Sequence, residues 1–377
     1  MLDLDAASAA SPSPSLAPAP RVLNVHFTGS GSEYFRIWAV NLLLILVTLG
    51  LYLPFAKARR IRYFYANTLV DGQALSFHGD AWKMFRGFVV LLVLAGLYFG
   101  FNAVSPTLGA LAFVALALMW PPLWRAGMRF RLSHTSWRGL RFGFAGDVPG
   151  AYQAFLPALI PLGIVMLVPE DATGMWLVLL GFAGLALNLM MLWTLGLVKC
   201  YQHRNYRFAH LQTRTSLEPS AVFGLGLRLG FVGGAVIGIA AVVGAVMVGL
   251  AREGGNWLGF IGVVLVAVLA YTWLHCAFSA GLQNMAWSRT TAEGVRIQCD
   301  LQTMDLLKLT LKNWLLMAVT LGLYRPFAAV ATARLRLEAV SLEASVDVDA
   351  LVGDEAAQHT SAAGDFAGDF FGIDLGL

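Results

Sequence analysis

Eight stretches of this chain are apolar for so long that water cannot be their solvent. They cover residues 37–53, 88–104, 107–124, 155–168, 175–198, 229–250, 257–280 and 313–327. Only Arg325, near the end of the last one, brings a charge into them. A helix needs roughly 17–25 such residues to cross a bilayer. The 377-residue chain is 58% hydrophobic and 13% charged, about half the charged share of a soluble domain. These runs make it a polytopic helical membrane protein; a bundle of buried soluble helices is the far poorer account.

The chain also repeats itself. "VTLGLYLPFA" at residues 47–56 and "VTLGLYRPFA" at residues 319–328 differ at one place and lie 272 positions apart. The same shift aligns Glu33 with Asp305, Arg36 with Lys308, Asn41 with Asn313 and Arg62 with Arg334. A shift of 67 pairs Arg62 with Arg129, Thr68 with Thr135 and Gly72 with Gly139, and a shift of 222 pairs Thr68 with Thr290 and Gly72 with Gly294. A weaker echo, "TLGL", stands at residues 194–197. The repeated unit is an apolar helix, a basic helical stub such as "AKARRIRYFYANT", and a short hairpin, "LVDGQALSFHGD", turning at Asp71-Gly72, a favoured tight-turn pair. The connection "HRNYRFAHLQTRTSLEPS" keeps the basic stub but loses the Thr-x3-Gly spacing, which leaves its hairpin in doubt.

The stretches "FTGSGSEYFRIWAVNLLL", "VTLGLYLPFAKARRIRYFYANTLVDG" and "NWLLMAVTLGLYRPFA" resemble the YjgN family of bacterial inner-membrane proteins, over roughly residues 27–338. The resemblance implies an integral inner-membrane protein. It implies no catalytic residue, because that family has no characterised chemistry.

Charge sets the topology. Lys and Arg favour the cytoplasmic side of short loops, and residues 55–87, 125–150, 199–228 and 281–312 carry six, five, five and four of them. Those connections are expected in the cytoplasm. If all eight runs cross, both tails lie outside and the two decamers point in opposite directions. If residues 35–55 and 307–327 instead re-enter on the cytoplasmic side, six spans remain and both termini are cytoplasmic. The re-entrant arrangement is favoured, since each decamer is flanked by charge in the same way. The expected fold is therefore all-α, with six to eight transmembrane or re-entrant helices built from a repeated hairpin unit. Small cytoplasmic β-hairpins accompany it and are free to pair with one another. Residues 1–20 read as a disordered leader, 21–340 as the membrane domain, and 341–377 as an acidic, disordered tail. The closing "DFFGIDLGL" has the look of a short docking peptide.

Candidate functional residues are few. Asn41 and Asn313 sit at equivalent places in apolar helix, where they either line a pseudo-symmetric cavity or make an interhelical hydrogen bond. With Thr48, Gly50 and Tyr52 in one decamer and Thr320, Gly322 and Tyr324 in the other, they form the candidate substrate-binding set. Asn188 reads as an interhelical bond. Gly226, Gly230, Gly234 and Gly238 form a four-residue stripe suited to close helix packing, within the chain or in a homo-oligomer. His275 beside Cys276 is too little for a metal site and is expected to hydrogen-bond within the bundle; His203 and His210 read as solvated or lipid-facing. The basic, aromatic stubs point to the bilayer and to anionic phospholipid headgroups rather than nucleic acid. No metal or cofactor signature and no enzyme motif is present. The expected function is a transporter or channel-like protein for a small solute or lipid, flanked by the two decamers. The alternative is a scaffold or assembly factor working through its hairpins and acidic tail.

Overall fold

A computed structural model describes residues 21–165, 173–250 and 257–345 of the chain. Its helices and strands follow one another in a fixed rhythm. Strand β1 (Arg21–Phe27) leads into α1 (Gly31–Val47) and α2 (Leu53–Ala66), then β2 (Thr68–Val70) and β3 (Gln73–Phe77). Next come α3 (Ala81–Val104) and α4 (Pro106–Ser133), β4 (Thr135–Trp137) and β5 (Leu140–Phe144), α5 (Val148–Val165) and α6 (Met175–Arg204). The chain continues through β6 (Tyr206–Phe208), β7 (Leu211–Gln212), β8 (Arg214–Thr215), α7 (Pro219–Leu250) and α8 (Trp257–Ser288). It closes with β9 (Thr290–Ala292), β10 (Val295–Cys299), α9 (Thr303–Val319), α10 (Arg325–Glu338) and β11 (Val340–Ala344).

The strands correct the all-α expectation. They form one antiparallel sheet of eleven strands in the order β7-β6-β5-β4-β3-β2-β1-β11-β10-β9-β8. Its two edges, β7 and β8, are separated in the chain only by Thr213, so the sheet closes on itself through a single bent strand. Closure removes the unpaired edges that short strands would otherwise expose. The lumen is filled: Leu23, Trp137 and Ala344 are buried there, with Val70, Phe142 and Leu342 packed against them. Residues 341–344, expected in the tail, belong to β11 and pair with β1 in the register Arg21↔Ala344. The leader, the rest of the tail and its closing peptide lie outside the described residues.

Five equivalent joints hold the sheet. The backbone N–H groups of Thr28, His78, Ala145, Ser216 and Asp300 donate to the carbonyls of Asn67, His134, Asn205, Arg289 and Ala339. Each joint ties the residue after one strand to the residue before the next. A side chain reinforces each: Arg62, Arg334, Asn284 and Cys200 donate to the carbonyls of Gly79, Gly29, Leu301 and Leu217 at 2.8, 3.0, 3.0 and 3.0 Å. At the remaining joint Arg125, rather than Arg129, reaches the carbonyl of Gly146 at 2.6 Å. The threonines aligned by the repeat share a role as well, Thr68, Thr135 and Thr290 each donating to the carbonyl four residues back. The doubtful third hairpin does form. Ala209, at φ 53°, takes the left-handed place that Asp71 and Arg138 hold elsewhere.

The ten described helices form a second ring beside the first. Each packs against its two neighbours in chain order, and α10 packs against α1 to complete the circle. Five of them, α3, α4, α6, α7 and α8, are long and apolar enough to cross a membrane. The shorter α5 packs along α6. The "TLGL" echo at residues 194–197 continues as helix within α6, because no turn or proline follows it.

Candidate functional site

The two decamers make the same turn. Thr48 Oγ donates to the Leu44 carbonyl at 2.7 Å and accepts from Tyr52 N–H at 3.0 Å; Thr320 does the same with Leu316 and Tyr324 at 2.6 and 3.0 Å. Gly50 and Gly322 donate five residues back, to Ile45 and Met317, closing α1 and α9 with a Schellman motif. Leu49 and Leu321 take φ 50° and the glycines 92° and 89°. Pro54 and Pro326 then start α2 and α10, where the missing N–H costs nothing. The expected binding residues Thr48, Gly50, Tyr52, Thr320, Gly322 and Tyr324 are thus committed to turning the chain. Tyr52 and Tyr324 stack on Phe55 and Phe327.

Each decamer is the tip of a short helical hairpin whose two ends reach the same sheet. Beyond Arg36, α1 has only Ile37–Val47 before its tip, about 16 Å at 1.5 Å per residue, or half of a ~30 Å hydrocarbon core. Leu49 and Leu321 are 93% exposed at the tips. The two hairpins are neighbours in the helix ring, joined where Phe35 of α1 meets Phe327 of α10.

Behind them lies a cavity of ≈ 700 Å³. It is lined from α2, α4, α9 and α10. Because α4 and α9 stand far apart in the circle, the cavity is inside the ring of helices. Lys57 and Arg60 come from α2, Arg131 from α4, Arg325 and Arg336 from α10, and no carboxylate joins them among the described residues. Arg336 is held by Gln283 at 2.9 Å and Ser279 at 2.7 Å; Arg60 lies over the Phe64 ring. Trp314, Met317 and Ile61 supply apolar wall. Close to Arg131, burial pushes the hydroxyls of Tyr65 and Tyr206 above the ordinary tyrosine range, with the Arg131 charge pulling the other way. Both stay neutral donors at physiological pH. A smaller space of ≈ 530 Å³ lies along α1 and α2 and is lined by Arg36, Arg59 and Arg62.

Asn313 lines the large cavity; its amide donates to Thr332 Oγ at 3.4 Å, and its buried Oδ1 has no hydrogen-bond partner among the described residues. Asn41 is equally buried with an unpartnered Oδ1, but it is not among the residues lining the cavity. The five cations were legible only as topology signals, since nothing in their spacing joins α4 to α10.

Other expected residues fall elsewhere. In the glycine stripe only Gly226 meets a neighbour, Leu192; Gly230, Gly234 and Gly238 face open space. Close packing on α7 falls instead to Gly233, against Leu274, and Gly244, against Val263. Asn188 donates within its own helix, to Gly184. His203 is buried rather than solvated, 2.9 Å from Thr290 Oγ and edge-on to Trp287. His275 is exposed beside Tyr271.

Residues 22–370 match the family described as a bacterial protein of unknown function, DUF898. The chain belongs to that family. Curated relatives named Inner membrane protein YjgN confirm the resemblance. The protein of Escherichia coli strain K12 is 34% identical over 144 residues, covering 37% of this chain and 35% of the relative. That of Salmonella typhimurium is 29% identical over 177 residues, 46% of this chain and 43% of the relative. The matched part is therefore less than half of those relatives' length. No solved structure matches the chain. Together with the long apolar helices, the family places the chain among inner-membrane proteins of unknown function.

Proposed function

We propose that this protein is a transporter-type membrane protein that handles a lipid or small solute in the cavity between α2, α4, α9 and α10. The observation that carries the reading is the position of that cavity. It lies inside the helix ring, beside two hairpins long enough to rise only about half-way through a bilayer. The five candidate spans are far longer, α7 and α8 having 32 residues each. A molecule dissolved in the bilayer reaches the cavity over the low side. Passage along the ring axis is a poorer reading, because side chains fill the sheet lumen. The two tips and Asn313 then flank the chamber, as lip and wall. The excess of Lys and Arg on the sheet side supports a cytoplasmic sheet and cytoplasmic termini.

The scaffold alternative loses ground for a related reason. Its docking elements are the hairpins and the acidic tail; the hairpin edges are taken up in the closed sheet, and the tail beyond residue 345 lies outside the described residues. The test is Ala329→Trp, which fills the cavity from α10 without removing a charge. Transbilayer movement of fluorescent lipid in proteoliposomes should fall to the protein-free rate while the thermal transition is kept. Unchanged lipid and solute movement in a folded variant, with activity in cells lost only on deleting residues 346–377, would favour the scaffold.

A further inference from the structure

The register of the closed sheet sorts its residues between lumen and outer wall. Successive residues of a strand point to opposite faces, and residues directly opposite on paired strands share a face. Phe142, Phe208 and Val295 pack in the lumen, so Arg141, Arg207 and Arg296 beside them point outward. Arg214 of β8 and Arg296 of β10 are both partners of Thr291 on β9, which puts Arg214 on the same outer face. All four arginines are exposed. The outward positions of the other arc hold Val22, Asn24 and His26 on β1, Leu69 on β2, and Ala74 and Ser76 on β3. The wall is therefore polarised: guanidinium groups line it from β5 round to β10, and no Arg or Lys faces outward from β1 to β3.

Little on the wall answers that charge. Glu343 is directly opposite Arg296 but accepts from Gln298 at 2.6 Å, and Glu293 stands exposed at the β9–β10 turn. No ion pair joins any of the four arginines to a carboxylate among the described residues. The chain leaves the sheet beside this arc. Ser345 donates from its N–H and its hydroxyl to the Gly294 carbonyl, at 2.8 and 3.0 Å, in the turn between β9 and β10. Residues 346–377 then bring seven Asp or Glu and no Lys or Arg. Four of the seven, Asp347, Asp349, Asp354 and Glu355, fall in the first ten residues. From β11 round to β5 is six strand spacings, about 29 Å at ~4.8 Å each, and ten extended residues span about 33 Å.

We propose that the outer wall from β10 to β5 is a docking surface for the chain's own acidic segment, residues 346–355. The segment lays its four carboxylates against Arg296, Arg214, Arg207 and Arg141. Single exposed pairs of this kind are weak. Tethering to β11 makes the encounter intramolecular, with an effective concentration in the millimolar range, so several weak pairs suffice. Ionic strength then sets the occupancy. The surface belongs to the sheet and stands independently of the chamber between the helices.

The experiment uses the full chain in phosphatidylcholine nanodiscs, with Cys200, Cys276 and Cys299 replaced by serine. Ala350→Cys, in the middle of the segment, is combined with either Gln212→Cys on β7 or Ala74→Cys on β3, both at exposed positions. Strands β7 and β3 lie four and three places from β11 in opposite directions. Six extended residues from Ala344 cover about 20 Å, so an undocked segment reaches β3 at least as easily as β7. Under mild oxidant the Gln212 pair should form its disulfide about tenfold or more faster than the Ala74 pair, the combined effect of several exposed ion pairs. The preference should vanish at about 1 M salt, where the screening length falls to ~3 Å, and in the variant carrying Arg207→Gln and Arg214→Gln. If that variant unfolds, Asp354→Asn with Glu355→Gln makes the same test without touching the sheet and should weaken the preference. Equal rates at low salt, or a preference that survives salt and the charge-removing variants, would overturn the docking. A preference that disappears when phosphatidylglycerol is mixed into the disc would assign the arginines to lipid headgroups and overturn the tail as their occupant.

Discussion

Two kinds of helical hairpin stand on the same sheet. The α3–α4 pair is 24 and 28 residues long, enough to traverse a bilayer of ~30 Å. Its tip at Ser105 carries an ordinary extended break followed by proline. The α1–α2 and α9–α10 pairs are 17 and 14 residues long, and their tips are built from an elaborate turn that puts a leucine at positive φ. On the proposed re-entrant reading, the difference follows from what each tip faces. A tip in water tolerates loose backbone, because water satisfies it. A tip at membrane depth has to satisfy its own N–H and C=O groups, and Thr48 and Thr320 do so by bonding both ways. The left-handed leucines, at a cost of about 1–2 kcal/mol each, hold an apolar side chain exposed at each tip, which the re-entrant reading puts in lipid.

The largest effect should come from charging those tips. Leu321→Arg is expected to destabilise the protein by about 2.5–3.5 kcal/mol if the tip lies at the bilayer centre. Ser105→Arg, at a tip beyond the far interface, should cost under about 0.5 kcal/mol. Equilibrium unfolding in nanodiscs reads both, and equal costs would erase the distinction between the hairpins.

A smaller effect contrasts the sheet with the helices. A Cβ added at Gly79 would lie 2.2 Å from the Phe77 ring, whereas at Gly96 it meets nothing within 4 Å. Gly79→Ala should cost about 1–3 kcal/mol through overpacking at a sheet joint. Gly96→Ala, in the middle of α3, should be neutral or stabilising by up to about 1 kcal/mol. The smallest effect is at the turn backbone. Gly322→Ala, at φ 89°, should cost about 1 kcal/mol, and its match Gly50→Ala the same. A difference between them well beyond that size would mean the two tips lie in different surroundings.

The turns were legible because their chemistry is local: Thr, Gly and Pro within seven residues suffice to write one. The hairpins at Asp71-Gly72 and Arg138-Gly139 were legible for the same reason. Ring closure was not, since Arg21 meets Ala344 and strands of two or three residues carry no pattern that names a distant partner. His203 looked solvated because its neighbours are basic; its burial follows from contacts with Thr290 and Trp287, 87 and 84 positions away. Gly230, Gly234 and Gly238 meet no neighbour within the chain, and their spacing does not say whether a second copy would meet them. Glycine is frequent in membrane helices whether or not a neighbour approaches, and spacing alone does not tell the two cases apart. The cavity cations were visible one by one, but only the circular order of helices brings Arg131 of α4 to the same cavity as Arg325 and Arg336 of α10.

The central claim is that the α1–α2 and α9–α10 hairpins return to the side from which they start. Single cysteines at Ser11, Gly139, Ser361 and Ser105, with Cys200, Cys276 and Cys299 replaced by serine, test it against an impermeant maleimide in intact cells and inverted vesicles. Ser11, Gly139 and Ser361 should react only in inverted vesicles, and Ser105 only in intact cells. If Ser11 and Ser361 react from the same side as Ser105, both short hairpins cross the membrane and the account of the chamber fails with them.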